Sequence, residues 1–209
     1  MIIFEDSEIV VCIKPKGLLS QEGTLGTQSM VAVLGEKCGC RVYPVHRLDK
    51  DVSGVMVYAK TKEAAGVLSK QVADRKMTKS YLAVTDKSDI APEGTMEDLL
   101  FFDKQRNKSF IAKSERRGVK KAVLHYRLIK TVGDKSLYGI KLETGRTHQI
   151  RVQFASRKMP LYGDRKYGNK EKGDIGLFSS SLAFRHPKTM ENMLFTAKPQ
   201  GGIFDIFKE

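Results

Sequence analysis

Residues 8–14 contain a continuous apolar run, at 9–13, and are followed by Pro15 and Gly17. Proline cannot continue a strand ladder and glycine permits a positive φ, so the run predicts a buried strand that ends in a turn. Lys14 is the last residue of this segment. We expect the strand to deliver Lys14 to a surface.

Two later segments carry apolar residues three to four positions apart, over 28–37 and over 61–76. This spacing gathers the apolar side chains on one face of a helix. Thr61 stands at the start of the second segment, where its hydroxyl can cap the helix. The pattern predicts a short helix over 28–37 and a longer one from Thr61 to about Lys76.

Runs rich in β-branched and aromatic residues predict the strands. The runs at 123–129 and 137–142 are joined through Gly133 and Asp134, which indicates an antiparallel hairpin. Further strands are expected at 55–59, 80–85, 181–184 and 193–197.

A third helix is predicted over 146–157, after Gly145, because apolar residues recur there four positions apart. Its polar face would offer Arg146, Gln149 and Gln153. Strands and helices thus alternate without a Gly-x-Gly-x-x-Gly or phosphate-loop signature, which argues against a nucleotide-binding sheet.

The chain has 209 residues, of which 41% are apolar, so it can bury one good-sized core. We therefore expect a single domain over 1–209. The apolar runs are far shorter than the roughly 20 residues of a membrane span. Met1–Phe4 leads directly into acidic residues, unlike a secretory signal, so we expect a cytoplasmic protein without a membrane partner.

The three cysteines, Cys12, Cys38 and Cys40, are expected to be free thiols because their number is odd and a chain of this length needs no disulfides. Cys38 and Cys40 have no second ligand pair at the spacing of a metal site. The four histidines also lack such spacing, and we interpret His148 and His186 as structural hydrogen-bonding residues. The sequence predicts no metal.

The chain is strongly basic, with 37 Lys and Arg residues against 24 acids and a net charge of +13. Such an excess favours a polyanionic partner, although a lysine-rich solubilising surface would give the same number. The most cationic stretch, 104–130, holds ten Lys or Arg residues and one acid, Glu115. It is either a solvated loop or a contact with an RNA backbone.

Asp49 is the main candidate for chemistry. It stands between Arg47 and Lys50, just ahead of Ser53 and Gly54, in a turn that would feed the strand at 55–59. Neighbouring cations favour its ionised form, which suits chemistry on a glycosidic bond. The alternative is a loop aspartate in an ordinary surface ion pair.

An ordered set of motifs resembles the RluA-type pseudouridine synthases, which modify ribosomal and transfer RNA. The motifs extend over nearly the whole chain: Asp6, Ile13-Lys14-Pro15-Lys16-Gly17-Leu18, His46-Arg47-Leu48-Asp49 with Ser53-Gly54, Lys79-Ser80-Tyr81, Thr144-Gly145-Arg146-Thr147-His148-Gln149-Ile150-Arg151, Gly163-Asp164 and Phe184-Arg185-His186-Pro187.

The resemblance implies an α+β fold with a mixed, mainly antiparallel sheet, flanking helices and two lobes around a basic cleft. It also implies an isomerase that converts uridine to pseudouridine without a cofactor. In that reading Asp49 is the catalytic carboxylate, Tyr81 packs against the target uracil, and Arg151 pairs with Asp49. Arg47 would take the place of the flipped nucleotide.

The same resemblance makes His46, Lys79 and Arg146 candidates for RNA contact. The expected partner is a structured ribosomal or transfer RNA, bound by a monomer. Whether Asp49 attacks the sugar, adds to the uracil ring or removes a sugar proton stays open at this point.

This chain departs from the family pattern in two places. Val52 stands where the family usually has threonine, and the stretch 178–182 lacks the His-Ala commonly found before Phe184. We also expect no amino-terminal RNA-binding module of the S4 type, because Lys14 and Pro15 begin the pattern almost at once.

Two other functions are weighed against the synthase. One is an RNA-binding or RNA-remodelling protein that has lost its activity, which the intact set of Asp49, Tyr81 and Arg151 counts against. The other is a hydrolase that uses Asp49 and Asp164 as paired carboxylates, which would need the two within about 10 Å of each other.

Overall fold

The computed structural model describes residues 1–23, 28–86 and 90–208. Its strands and helices follow in the order β1 (Ile2–Glu5), β2 (Ile9–Lys14), α1 (Met30–Cys38), β3 (Tyr43–Pro44), β4 (Ser53–Ala59), α2 (Lys62–Ala73), β5 (Thr78–Asp86), β6 (Glu93–Asp103), β7 (Lys108–Ile111), β8 (Val119–Val132), β9 (Lys135–Leu142), α3 (Gln149–Ser156), β10 (Leu177–Arg185) and β11 (Asn192–Thr196). Short 3-10 helices span Arg165–Tyr167 and Gly202–Phe207.

The chain divides into two compact units. Unit 1 comprises residues 1–79 and 178–198, and unit 2 comprises residues 80–177 and 199–209. Among the strand pairs that the described residues define, most are antiparallel, whereas β4 and β10 are parallel, so the predicted mixed, mainly antiparallel sheet is confirmed. In the described part of the chain, no helix combines the length and apolar character needed to cross a membrane.

Unit 1 is built on the strand order β1-β2-β4-β10, with β11 paired to β10. β2 and β4 run antiparallel with Lys14 opposite Gly54, and β10 joins β4 in parallel with Ser179 opposite Gly54. The apolar faces of β2, β4 and β10 pack with α2 in one core. β4 is therefore central, and it begins immediately after the Asp49 turn.

The helix α2 forms where the sequence predicted it but is shorter at its end. Thr61 caps it, because its hydroxyl accepts a hydrogen bond from the N–H of Ala64 at 3.1 Å. The helix ends at Ala73 and not near Lys76. Arg75 has φ of 57°, a left-handed conformation that cannot continue an α-helix.

Unit 2 is built on the strand order β5-β9-β8-β6-β7. The predicted hairpin is confirmed as β8 and β9, which are longer than the apolar runs suggested. β6 and β7 form a second antiparallel hairpin that the sequence did not predict. The cationic stretch 104–130 includes β7 and most of β8, so the interpretation of it as a solvated loop holds only for 104–107 and 112–118, which lie between the strands.

Candidate active site

Residues 46–52 form the turn that leads into β4. The N–H of Val52 donates to the carbonyl of Asp49 at 3.1 Å, which closes the turn. Leu48 is buried, Arg47 is exposed and Asp49 is half-buried. Because Leu48 is anchored in the core, the backbone holds Arg47 and Asp49 at the surface of unit 1, as the sequence predicted.

Lys14 does not reach a surface, so that prediction was wrong. Its side chain is fully buried, and Nζ donates to the carbonyls of Pro15, Leu18 and Lys50 at 2.8, 2.7 and 3.0 Å. These acceptors match the three protons of an ammonium group. Burial lowers the pKa of Lys14 to about 8, and two nearby carboxylates offset this in part. Partners that are all backbone carbonyls have no signature in the sequence.

His46 fastens the start of the turn to the strand that follows it. Its Nε2 accepts the N–H of Val57 at 3.2 Å, so the proton of the neutral ring lies on Nδ1. Burial holds the pKa of His46 well below its usual range, and the charge of Lys79 acts in the same direction. The neutral state is needed because a protonated Nε2 could no longer accept from Val57.

Two further candidates, Lys79 and Tyr81, lie near the start of β5. Burial lowers the pKa of Lys79 to about 8. Tyr81 is only 6% exposed. Both side chains are therefore in largely desolvated surroundings.

Arg151 lies on α3 and forms a bidentate ion pair with Asp164. Its Nε donates to Oδ2 at 2.7 Å and its Nη2 donates to Oδ1 at 2.8 Å. The side chains are 7% and 0% exposed. The guanidinium carbon also lies 5.2 Å from the centre of the Tyr167 ring, within the range of a cation–π contact. Asp164 and Tyr167 thus fix the plane and position of the Arg151 head group.

Tyr167 is itself held by its hydroxyl. The hydroxyl accepts the N–H of Ser109 at 2.8 Å and lies 3.0 Å from Nδ1 of His148. Burial raises the pKa of Tyr167 to about 12, so the hydroxyl stays protonated at neutral pH. Lys108 on β7 lies 4.9 Å from the ring centre. These contacts join β7, α3 and the 3-10 helix 165–167 within unit 2.

Sequence reasoning missed the roles of Asp164 and Tyr167. Asp164 was noticed as part of a Gly-Asp motif and as a possible second carboxylate, but not as the partner of Arg151. The signal that could have found Tyr167 is its place three residues after Asp164 and directly before Gly168, which has φ of 106°. That spacing closes a short 3-10 turn that carries both side chains.

The predicted third helix was wrong in its start and in its polar face. The helix begins at Gln149, because His148 has a left-handed φ of 53°, so Arg146 precedes it. Arg146 is half-buried, and its Nε donates to the carbonyl of Lys121 at 2.9 Å. Gln149 and Gln153 do not form an exposed polar face, since both are buried and donate to backbone carbonyls. These acceptor carbonyls belong to strands β6 and β8, and the residue spacing within the helix cannot reveal them.

The two histidines assigned structural roles fulfil them. His148 is buried beside Tyr167, and His186 is buried with Nε2 2.9 Å from Oδ2 of Asp6. The N–H of Ile9 donates to the other oxygen of Asp6 at 2.8 Å, so this carboxylate joins β2 to the segment after β10.

The structure assigns the predicted site residues to both units. His46, Arg47, Asp49 and Lys79 belong to unit 1, and Tyr81, Arg146 and Arg151 belong to unit 2. The pairing of Arg151 with Asp49 and the RNA contacts stay predictions.

The chain is similar to known RNA pseudouridylate synthases. Residues 8–156 match the family model that carries that description. A ribosomal large subunit pseudouridine synthase D from Zymomonas mobilis is 36% identical over 228 residues, which cover 99% of this chain and 71% of that protein. Its namesake from Borreliella burgdorferi is 35% identical over 178 residues, which cover 80% of this chain and 54% of that protein.

A solved structure has the same fold. The structure of human RNA Pseudouridylate Synthase Domain Containing 1 matches with a TM-score of 0.80 at 22% identity, over 98% of this chain and 85% of that one. This chain spans about half to seven tenths of the length of the two curated relatives.

Proposed function

This chain belongs to the RNA pseudouridylate synthase family, and from that premise we propose that it isomerises uridine to pseudouridine in RNA. The observation that carries the proposal is the Asp49 turn, in which the backbone holds a half-buried aspartate, flanked in sequence by Arg47 and Lys50, at the entry to a central strand. The two curated relatives are named for the large ribosomal subunit, so a structured ribosomal RNA is the proposed substrate.

The reaction is a redox-neutral rearrangement. The bond from N1 of uracil to C1′ of the ribose breaks, the base turns, and C5 bonds to C1′. The proton of C5 is released and N1 gains one, so no atom is added or lost. The residues must therefore hold a detached base and supply one carboxylate. We assign that role to Asp49, which the backbone of the turn places between Arg47 and Lys50 in sequence.

A base inside a folded RNA must first leave its stack. Arg47 is exposed and adjacent to Asp49, and a planar guanidinium can stack on bases while it contacts phosphates. We propose that Arg47 occupies the space that the flipped nucleotide leaves. This contact would offset an unstacking cost of a few kcal/mol, the usual scale for base flipping.

Tyr81 and Arg151 complete the proposed catalytic set, with Tyr81 against the uracil and Arg151 orienting Asp49. The bidentate pair with Asp164 supports the second role, because it gives Arg151 one fixed orientation. His46, Lys79 and Arg146 are proposed to line the path of the RNA. In keeping with these roles, we propose a cytoplasmic enzyme that acts as a monomer and needs no cofactor.

Excess positive charge supports RNA as the partner. Strands β7 and β8 carry exposed or half-exposed cations, among them Lys108, Lys120 and Arg127. Arg116 lies over the ring of Phe101 at 5.2 Å, an arrangement that also accepts stacked bases. Ionic contacts of this kind make RNA affinity fall as salt rises.

The test is pseudouridine mapping by carbodiimide-stop sequencing of total RNA from a deletion strain. The strain is complemented with the wild-type protein, with Asp49→Asn, or with Asp51→Asn as a matched control, since Asp51 is an exposed acid of the same turn. Sites restored by wild type and by Asp51→Asn but not by Asp49→Asn would establish the activity and identify the substrate. Identical maps for all strains would overturn it and favour RNA binding without catalysis.

A further inference from the structure

Ser20 makes a reciprocal pair of hydrogen bonds with the residue that precedes Asp49. Its hydroxyl accepts the N–H of Leu48 at 2.9 Å and donates to the carbonyl of Leu48 at 2.8 Å. A single side chain therefore satisfies both backbone groups of Leu48, as a neighbouring strand would. Ser20 and Leu48 are both buried, so water does not compete for these groups.

The backbone of Ser20 is fixed in turn. Its carbonyl accepts a hydrogen bond from the hydroxyl of Tyr58 at 2.8 Å, and Tyr58 is a fully buried residue of β4. The position of the Ser20 hydroxyl is thus set by the core of unit 1. A contact made through Ser20 transmits that rigidity to Leu48.

The residue that follows Asp49 is held by the same segment. The carbonyl of Lys50 accepts the N–H of Gly17 at 2.9 Å and Nζ of Lys14 at 3.0 Å. Both peptide neighbours of Asp49 are therefore attached to residues 14–20, by Ser20 on one side and by Lys14 and Gly17 on the other. Asp49 has little freedom to shift without breaking one of these contacts.

We propose that Ser20 is a positioning residue, which fixes the backbone on the amino-terminal side of Asp49 so that the carboxylate meets the target nucleotide in its reactive geometry. The proposal rests on the proposed function, in which Asp49 is the essential carboxylate. Without the hydroxyl, the buried N–H and carbonyl of Leu48 lose their partner and the turn relaxes to regain hydrogen bonds. Displacements of about 1 Å at a reacting group can cost about 100-fold in rate.

The test uses the full chain and a transcript that contains the mapped uridine, labelled with tritium at C5. Single-turnover release of tritium reports the isomerisation, and filter binding of the same RNA reports affinity. Ser20→Ala is compared with Ser179→Ala, a matched control in unit 1. Ser179 is equally buried, and its hydroxyl donates to the carbonyl of Val55 at 3.1 Å without contact to the turn.

We expect Ser20→Ala to lower the single-turnover rate constant by about 10- to 100-fold while RNA affinity changes by less than about twofold, as for a group that acts on the transition state and not on binding. Ser179→Ala should keep the wild-type rate. If Ser20→Ala does not fold, Ser20→Cys replaces it, since a thiol keeps the size but forms weak hydrogen bonds.

Three outcomes would overturn the proposal: an unchanged rate in Ser20→Ala, an equal loss in Ser179→Ala, or a loss confined to RNA affinity. These outcomes all presuppose an active wild-type protein that Asp49→Asn inactivates. An inactive wild type, or an active Asp49→Asn, would instead contradict the proposed function.

Discussion

Arg151 and Asp164 are joined through two parallel hydrogen bonds of 2.7 and 2.8 Å, with both side chains almost completely removed from solvent. Both carboxylate oxygens of Asp164 are engaged in this pair. Asp164 is therefore a poor candidate for a second catalytic carboxylate. This weakens the hydrolase hypothesis, which required it to act together with Asp49.

The pair predicts a large effect when one partner loses its charge. Asp164→Asn removes the charge that faces the buried Arg151 guanidinium in this pair, and breaking a buried pair in this way typically costs about 3 to 5 kcal/mol. Urea unfolding should show a loss of that size in the free energy of unfolding. The control is Asp205→Asn, which removes an exposed pair with Lys208 and should leave stability almost unchanged. Equal effects of the two substitutions would show that the buried pair contributes no more to the free energy of unfolding than the exposed one.

Tyr167 should stabilise unit 2 through its hydroxyl. Tyr167→Phe keeps the ring beside Arg151 but removes the acceptor for the buried N–H of Ser109, so unfolding should become easier by about 1 to 3 kcal/mol. Tyr162→Phe is the matched control, because its hydroxyl makes an exposed bond of 3.3 Å to the carbonyl of Lys172. Thermal or urea unfolding of both variants checks the difference, and a control that loses as much as Tyr167→Phe would refute it.

Much of the fold could be predicted because the relevant signals are local. The strand β2 and its end at Pro15, the Thr61 cap of α2 and the β8–β9 hairpin follow from apolar spacing and turn residues within a few positions of one another. The Asp49 turn was placed for the same reason, since it directly precedes an apolar strand.

The failed predictions for polar residues share a different physical cause. Lys14, Gln149 and Gln153 are polar residues whose burial depends on carbonyl partners from distant parts of the chain. A sequence pattern shows that a residue is polar, not whether the fold provides acceptors for it. The β6–β7 hairpin was missed for another reason. Its residues are mostly half-buried and mix charged with apolar positions, so neither the two-residue period of a strand nor the 3.6-residue period of a helix dominates.

Because His46 is held neutral in the folded protein, we expect the protein to lose stability in mild acid. Its pKa is lowered in the folded state, whereas the unfolded chain binds a proton near the ordinary value of about 6.5. Below that pH the unfolded state binds more protons, so the free energy of unfolding falls by at most about 1.4 kcal/mol per pH unit for this group. His46→Gln can still accept from Val57 but does not titrate.

Urea unfolding of the wild-type protein and of His46→Gln between pH 7 and pH 5 measures this contribution. The variant should show the smaller slope of stability against pH. Identical slopes would mean that His46 does not contribute to the acid sensitivity, and a steeper slope in the variant would contradict the sign.

Gly54 is the position at which we expect an added side chain to destabilise the protein most. It lies where β4 pairs with β10 and has φ of 129°, and a Cβ placed on it would lie 2.3 Å from the carbonyl oxygen of Ser179. Because that neighbour is backbone, Gly54→Ala must push the two strands apart and should cost at least about 2 kcal/mol. The Asp49 turn leads directly into β4, so activity should fall together with stability.

The control is Gly66→Ala, in an open position on α2, which should instead raise stability by about 0.5 to 1 kcal/mol through helix propensity. Urea unfolding of both variants tests the contrast, and a Gly54→Ala protein as stable as wild type would show that β4 and β10 do not approach as closely as the structure has them.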